Sequence, residues 1–135
     1  MASITGGCLC GKVRFTVSAD PTFQGVCHCT DCQKQGGTAF SVVLAFPDSS
    51  VKVTGATRTF RSIGSSGGAV QRVFCPECGS PIYSVPPNAP GLLFVKGGCL
   101  DDTSILAPMV HIFCDSKQPW VAIPEDVMTF PKSPN

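Results

Sequence analysis

Residues 8–18 join a pair of cysteines to a strand pattern: Cys8-Leu9-Cys10-Gly11-Lys12-Val13-Arg14-Phe15-Thr16-Val17-Ser18. From Lys12 to Ser18, apolar side chains alternate with polar ones, which is the two-residue period of a half-buried β-strand. The two cysteines are separated by one residue, so extended backbone would place both thiols on one face. The stretch therefore predicts a β fold that carries metal ligands.

Similar signals continue along the chain. Val and Phe dominate Ala39–Phe46, which we predict to be a buried strand because Gly and Pro bound it on either side. Asp31–Gln35 is the best helix candidate, with Thr30 as its cap. Strand signals every 8–12 residues predict an all-β sandwich or barrel-like unit with little helix. The shorter predicted strands are Val51–Thr54, Thr57–Ser62, Val70–Phe74, Ile82–Val85, Leu92–Lys96 and Met109–Phe113.

The length of 135 residues predicts a single domain. Gly64-Ser65-Ser66-Gly67-Gly68 is expected to be a mobile loop inside that domain, since neither half of the chain could form a core alone. We place the domain over residues 1–130 and a flexible C-terminal tail over residues 131–135, where Pro, Lys, Ser and Asn predominate.

The composition and the N-terminal sequence limit the expected location of the protein and its expected partners. The N-terminus has neither a basic start nor an apolar segment of secretory length, and no run is long enough to span a bilayer. A cytoplasmic location is therefore expected. The formal net charge is +1 without a basic cluster, which argues against nucleic-acid or membrane partners. The nine cysteines are an odd number, and in a reducing compartment clustered cysteines more often bind metal than form disulfides.

Seven of the nine cysteines fall into three tight groups. Thiolates suit Zn²⁺ in tetrahedral geometry, and ligands two or three residues apart can reach one ion. The glycine that follows each of the outer two pairs permits the left-handed turn that aims backbone N–H groups at sulfur. We assign these outer pairs to one closed structural zinc site. Its ligands are Cys8, Cys10, Cys75 and Cys78.

The middle group places Cys27, Cys29 and Cys32 within six residues. Three protein ligands and an open position are the pattern of a catalytic zinc. The spacing leaves a closed alternative standing, in which another residue from elsewhere in the chain supplies the fourth ligand. The candidates for that role are Cys99, Cys114, His28 and His111.

The other notable residues have plainer interpretations. We expect His28 to point away from its cysteine neighbours, into packing or a hydrogen bond, and His111 to be a buried, hydrogen-bonded histidine. Cys99 and Cys114 are expected to be small buried hydrophobes rather than nucleophiles. Asp101-Asp102 is expected to be a turn with its carboxylates in water, and Trp120 to be a packing residue of the core or its rim.

The order of motifs resembles the glutathione-dependent formaldehyde-activating enzyme (GFA) family, which also includes the centromere protein V domain. The resemblance covers about residues 4–120. It implies a single-domain, tent-like β fold with two zinc ions per chain. By this resemblance Cys8, Cys10, Cys75 and Cys78 hold the structural zinc, and Cys27, Cys29 and Cys32 the catalytic one. The motifs that carry it are residues 7–15, 27–34 and 74–79, with a closing segment that includes residues 98–102, Pro108 and residues 111–113 and 116–120.

The activity that the resemblance implies is carbon–sulfur lyase chemistry, with glutathione as co-substrate: its thiol adds reversibly to formaldehyde or a related aldehyde. Metal coordination favours the thiolate, whose sulfur would attack the aldehyde carbon. Two alternatives stay open, namely a related enzyme acting on another thiol adduct of a biosynthetic pathway, and a non-catalytic zinc-stabilised module that binds protein. The cations that could meet the carboxylates of glutathione are Lys34, Arg72, Lys96 and Lys117.

Overall fold

A computed structural model describes residues 3–64 and 67–134. Two open β-sheets and one helix make up the described part of the chain, joined by short 3₁₀ turns. No helix among these residues is long and apolar enough to cross a bilayer. The elements are β1 (Ile4–Gly7), β2 (Arg14–Val17), β3 (Phe23–Cys27), α1 (Thr30–Gly36), β4 (Ser41–Pro47), β5 (Val51–Thr54), β6 (Arg58–Ile63), β7 (Ala69–Phe74), β8 (Pro81–Val85), β9 (Leu92–Lys96), β10 (Val110–Ile112) and β11 (Met128–Thr129).

The smaller sheet is antiparallel, in the order β1-β2-β5. The larger sheet has the order β11-β10-β3-β4-β9-β8-β7-β6. Its strands are antiparallel except around β10, which is parallel to both β3 and β11. Each cysteine group adjoins the end of a strand of the larger sheet: Cys27 ends β3, and Cys75 directly follows β7.

One hydrophobic core joins the two sheets. The alternation predicted in residues 12–18 is confirmed, because Val13, Phe15 and Val17 are almost fully buried while Arg14 and Thr16 are exposed. These three side chains belong to the same buried cluster as residues of β4, β8 and β9. Each fully buried apolar side chain of this size contributes about 1.5–3 kcal/mol. The all-β, tent-like, single-domain prediction with little helix is confirmed.

The sequence patterns did not predict three of the strands. In β1 the cause is glycine: a Cβ on Gly6 would lie 2.4 Å from Phe15 Cζ, so close approach between strands excludes the side chains that identify a strand. In β3, Gly25, Val26 and Cys27 are all buried, which removes the polar alternation. The remaining strand, β11, has only two residues.

The loop and tail predictions concern the chain's least regular parts. Gly64 and Gly68 lie between β6 and β7, which are antiparallel neighbours in one sheet, and Ser65 and Ser66 lie outside the described residues. In the C-terminal segment, the carbonyls of Pro131 and Lys132 accept hydrogen bonds from the N–H groups of residues 115 and 113. The boundary at residue 130 and the flexibility of the tail remain predictions.

Candidate metal centres

The first cysteine group lies where the two sheets approach each other. Cys8 and Cys10 follow β1 of the smaller sheet, and Cys75 and Cys78 occupy the loop from β7 to β8 of the larger one. All four sulfur atoms lie within 4.8 Å of one another. Cys75 is completely buried, whereas Cys10 is exposed.

Local turns aim these sulfurs. The glycines after each pair, Gly11 and Gly79, have φ of 82° and 77°, which confirms the predicted left-handed turns. Cys8 and Cys10 nevertheless lie on a turn rather than on the extended backbone that the one-residue spacing suggested. The turn is held because the backbone N–H of Val13 donates to Cys8 Sγ at 3.2 Å and that of Cys8 donates to the Val13 carbonyl at 3.0 Å.

Zinc fits this donor set. Four thiolates at about 2.3 Å from one Zn²⁺ would stand about 3.8 Å apart at tetrahedral angles. The Sγ atoms of Cys8 and Cys10 are 3.5 Å apart, and those of Cys10 and Cys75 are 3.8 Å apart. Hydrogen bonds from the hydroxyl and the backbone N–H of Ser80 lower the pKa of Cys78 to about 5, which favours the thiolate that a metal requires.

The second cysteine group comes from one short segment. Cys27 is the last residue of β3, Cys29 immediately precedes α1, and Cys32 lies in its first turn. Their sulfur atoms all lie within 4.8 Å of one another. Cys27 and Cys32 are buried, while Cys29 is partly exposed. Approach from solvent is therefore open on the Cys29 side.

The helix begins differently from the prediction, which gave the cap to Thr30. Thr30 is instead the first helical residue, and Cys29 is the N-cap, with extended φ and ψ of −63° and 151°. Its Sγ accepts a hydrogen bond from the backbone N–H of Cys32 at 3.2 Å. A sulfur atom in place of the usual capping oxygen therefore both starts the helix and fixes the spacing between two cysteines.

The thiols of this group lie close enough to shift one another's pKa. Hydrogen bonds from Cys27 and Cys29, with the positive charges of Lys96 and Arg72, lower the pKa of Cys32 to about 2 despite its burial. The same sulfur contacts raise the pKa of Cys27, which serves as donor.

Within the described residues, none of the four suggested further ligands belongs to this group. Cys99 Sγ donates to the Pro81 carbonyl at 3.1 Å, and Cys114 Sγ contacts the His111 carbonyl at 3.5 Å. Both cysteines are half-buried rather than fully buried. Burial raises the pKa of Cys99 to about 11, which keeps it a thiol.

The two histidines form a buried pair behind the group. His28 Nε2 and His111 Nδ1 are 2.9 Å apart, and His28 is completely buried, as the hydrogen-bond interpretation of both residues anticipated. Burial lowers the pKa of both rings, so both are neutral. His28 Nδ1 has no hydrogen-bond partner among the described residues.

The four candidate cations occupy different places. Arg72 and Lys96 face the three-cysteine group. No local sequence pattern predicted this, because the two residues stand 40 and 64 residues beyond Cys32 in the chain. Lys117 donates to the carbonyls of Gln118 and Val121. Lys34 lines a shallow cavity of about 440 Å³ beside α1.

Two further expectations need correction. Trp120 is 75% exposed and lines the same cavity as Lys34, so the core placement is wrong and the rim placement stays a prediction. Asp101 is not a free turn carboxylate, because Arg14 and the Thr5 hydroxyl both donate to it. These bonds tie β1 and β2 to the segment that follows β9.

Comparisons with known proteins identify relatives of this chain. Residues 3–116 match the model of the family described as glutathione-dependent formaldehyde-activating enzyme. A protein of Emericella nidulans named "Putative glutathione-dependent formaldehyde-activating enzyme" is 36% identical over 76 residues, which are 56% of this chain and 38% of the relative. A protein of Talaromyces marneffei with the same name is 35% identical over 112 residues, 81% of this chain and 59% of the relative.

The chain thus spans less than two thirds of the length of these relatives. A crystal structure of a Rhodobacter sphaeroides protein has the same fold, with a TM-score of 0.61 at 22% identity, covering 75% of this chain and 91% of the other. The family match extends over most of the chain and includes all seven clustered cysteines. The chain belongs to the glutathione-dependent formaldehyde-activating enzyme family.

Proposed function

We propose that the protein is a zinc-dependent carbon–sulfur lyase that adds the thiol of glutathione reversibly to formaldehyde or a related aldehyde. Cys8, Cys10, Cys75 and Cys78 hold a structural zinc. The three cysteines of the second group, Cys27, Cys29 and Cys32, hold the catalytic zinc. A cytoplasmic location fits thiols that must remain reduced.

One observation carries this proposal. The second group brings three sulfurs within 4.8 Å of one another, and no other Cys, His, Asp or Glu of the described residues joins them. A soft donor set with three protein ligands is the composition of a catalytic zinc site rather than a closed structural one. When bound, zinc would supply a coordination position at which a thiol ionises near neutral pH.

The chain's own residues prepare that position. The helix cap at Cys29 fixes its sulfur relative to Cys32, and the partial exposure of Cys29 leaves a route for a substrate thiol. In the reaction the substrate sulfur forms a bond to the aldehyde carbon, and the carbon–oxygen double bond becomes a single bond. The proton that leaves the thiol ends on that oxygen, so the addition needs no oxidant or further reactant.

The test is exchange NMR of formaldehyde with glutathione. The wild type should accelerate formation of the hydroxymethyl adduct. Cys29→Ser should lose this acceleration by about 100-fold or more, the scale on which essential groups of enzymes act. Serine retains an oxygen that can cap α1, so the fold should persist. Cys114→Ser, a cysteine outside both groups, is the matched control.

Two results would count against the proposal. Acceleration by Cys29→Ser equal to that of the wild type would show that the second group is not catalytic. No acceleration by the wild type, with either formaldehyde or other small aldehydes, would overturn the lyase activity itself.

A further inference from the structure

Arg72 is a buried cation that contacts the second cysteine group. It extends from β7, is only 6% exposed, and has Nη1 3.8 Å from Cys32 Sγ. Its Nε donates to Ser62 Oγ at 3.0 Å and its Nη1 to Gln35 Oε1 at 3.0 Å. The guanidinium is therefore held against the sulfur by neutral partners on two other elements.

Lys96 reaches the same place from β9. Its Nζ donates to Ser41 Oγ at 2.8 Å, and Ser41 is the cross-strand neighbour of Cys27 between β3 and β4. Burial lowers the pKa of Lys96, while the charges of Cys32, Cys27 and Cys29 raise it. Through Ser41, the ammonium group is therefore placed beside the end of β3 at which Cys27 lies.

These two cations have little other negative charge to balance them. Among the described residues, Lys96 makes no ion pair, and Arg72 has one with Asp31, 3.9 Å away and half-exposed. A buried charge is costly unless an opposite charge or hydrogen bonds compensate it. The thiolates of the second group are therefore the main counter-charges of this pair.

When the half-exposed Asp31 is left out of the count because water screens its charge, the charges balance only if a further anion is present. Three thiolates around one Zn²⁺ carry a net charge of −1, and a fourth thiolate makes it −2. The buried Arg72 and the partly buried Lys96 together carry +2, which matches the four-thiolate state and exceeds the charge of the site with a neutral fourth ligand. Asp31 lies nearer to solvent, where water screens its charge.

We propose that Arg72 and Lys96 select an anionic thiolate, rather than a neutral ligand, as the partner of the metal held by Cys27, Cys29 and Cys32. The inference rests on the proposed function, since it takes the second group to bind a substrate thiol. It assigns these cations to the charge of the reacting sulfur and not to the carboxylates of glutathione.

The test uses the Co²⁺-substituted protein, whose sulfur-to-metal absorption reports the entry of a fourth ligand. The probes are 2-mercaptoethanol, a thiol without carboxylates, and imidazole, a neutral ligand. Lys96→Met removes the charge and keeps the apolar stem. It should weaken 2-mercaptoethanol binding about tenfold or more, as expected for loss of a partly buried charge that attracts the thiolate. Imidazole binding should change less than about threefold, since a neutral ligand lacks this Coulomb attraction.

Lys96→Arg is the matched control and should stay within about threefold of the wild type, because it preserves the charge on which the Coulomb attraction depends. Arg72→Lys provides a second charge-preserving variant, which should likewise retain the preference for thiol over imidazole. The thermal unfolding midpoint and the absorption of the four-cysteine cobalt site show whether each variant is folded.

Three outcomes would overturn the inference. Equal weakening of both ligands in Lys96→Met would indicate a structural role, and unchanged thiol binding would indicate no role. Weakening with glutathione but not with 2-mercaptoethanol would place Lys96 at a substrate carboxylate instead. If the wild type binds neither 2-mercaptoethanol nor glutathione, the proposed function is refuted, and the inference with it. If the wild type binds both thiols and Lys96→Met binds them equally well, only the inference is refuted.

Discussion

The two cysteine groups use the same ligand atoms in different surroundings. The four-cysteine group collects its sulfurs from two loops that belong to different sheets and lie 65 residues apart in sequence. The three-cysteine group collects them from six consecutive residues. A metal in the first group would close a long loop and join two sheets, whereas a metal in the second would restrain only a local segment.

Their electrostatic settings differ as well. The four-cysteine group has the exposed Cys10 and the hydroxyl of Ser80 beside it. The three-cysteine group is backed by a buried neutral histidine pair and faced by two cations, Arg72 and Lys96. The difference teaches that ligand type alone does not separate a structural site from a reactive one, because the chain span and the nearby charges do so.

The largest expected effect comes from breaking the four-cysteine group. Cys75→Ser removes its fully buried ligand, and the variant should lose most of the domain's free energy of unfolding, which is about 5–15 kcal/mol for proteins in general. Urea unfolding followed by circular dichroism measures this. Cys99→Ser, which keeps a donor for the Pro81 carbonyl, is the control. A Cys75→Ser protein as stable as that control would refute the structural assignment.

The next effect concerns metal lability. We expect two zinc ions per chain, of which a mild chelator removes the one in the three-cysteine group first, since three ligands and the partly exposed Cys29 leave it accessible. Zinc release monitored with a colorimetric chelator, alongside circular dichroism, should show one ion lost with the fold retained. Release of both ions at the same rate would erase the distinction between the groups.

A smaller effect is expected behind the three-cysteine group. His111→Phe fills the volume of the ring but leaves His28 Nε2 without its partner, so the free energy of unfolding should fall by about 1–3 kcal/mol. Chelator-induced zinc release should become faster, because His28 lies between two ligands. Met109→Ala, at a site 69% exposed, should change stability by less than about 0.5 kcal/mol. Equal stability of both variants would show that the histidine pair is not structural.

The smallest effect tests the scaffold of the four-cysteine group. Hydrogen bonds from Arg14 and Thr5 lower the pKa of Asp101 from 3.8 to about 2. The ionised carboxylate therefore stabilises the fold above about pH 4, and this contribution is lost as the pH falls toward 2. Asp101→Asn should be less stable than the wild type at pH 7, with the difference shrinking over that window in thermal unfolding. Glu77→Gln, at an exposed pair 4.0 Å apart, is the control, and a pH-independent difference would contradict the assignment.

Much of the local structure could be predicted from the sequence. Alternation identified β2, and the continuous apolar run identified β4, because side-chain burial leaves a direct periodic trace. It missed β1 and β3, where glycine and two-sided burial erase that trace. It also gave the helix cap to Thr30 rather than Cys29, since cysteine is not among the usual capping residues.

Sequence alone determined the local cysteine pairs and the trio, because short spacings and glycine turns are local, and it predicted their division into a group of four and a group of three. The meeting of the two outer pairs across 65 residues was decided by the tertiary structure. Only the tertiary structure decided what surrounds them. His28 meets His111 across 83 residues, and Arg72 meets Cys32 across 40. Such contacts depend on strand order and register in the sheets, which is a property of the packed whole and leaves no local pattern around either residue.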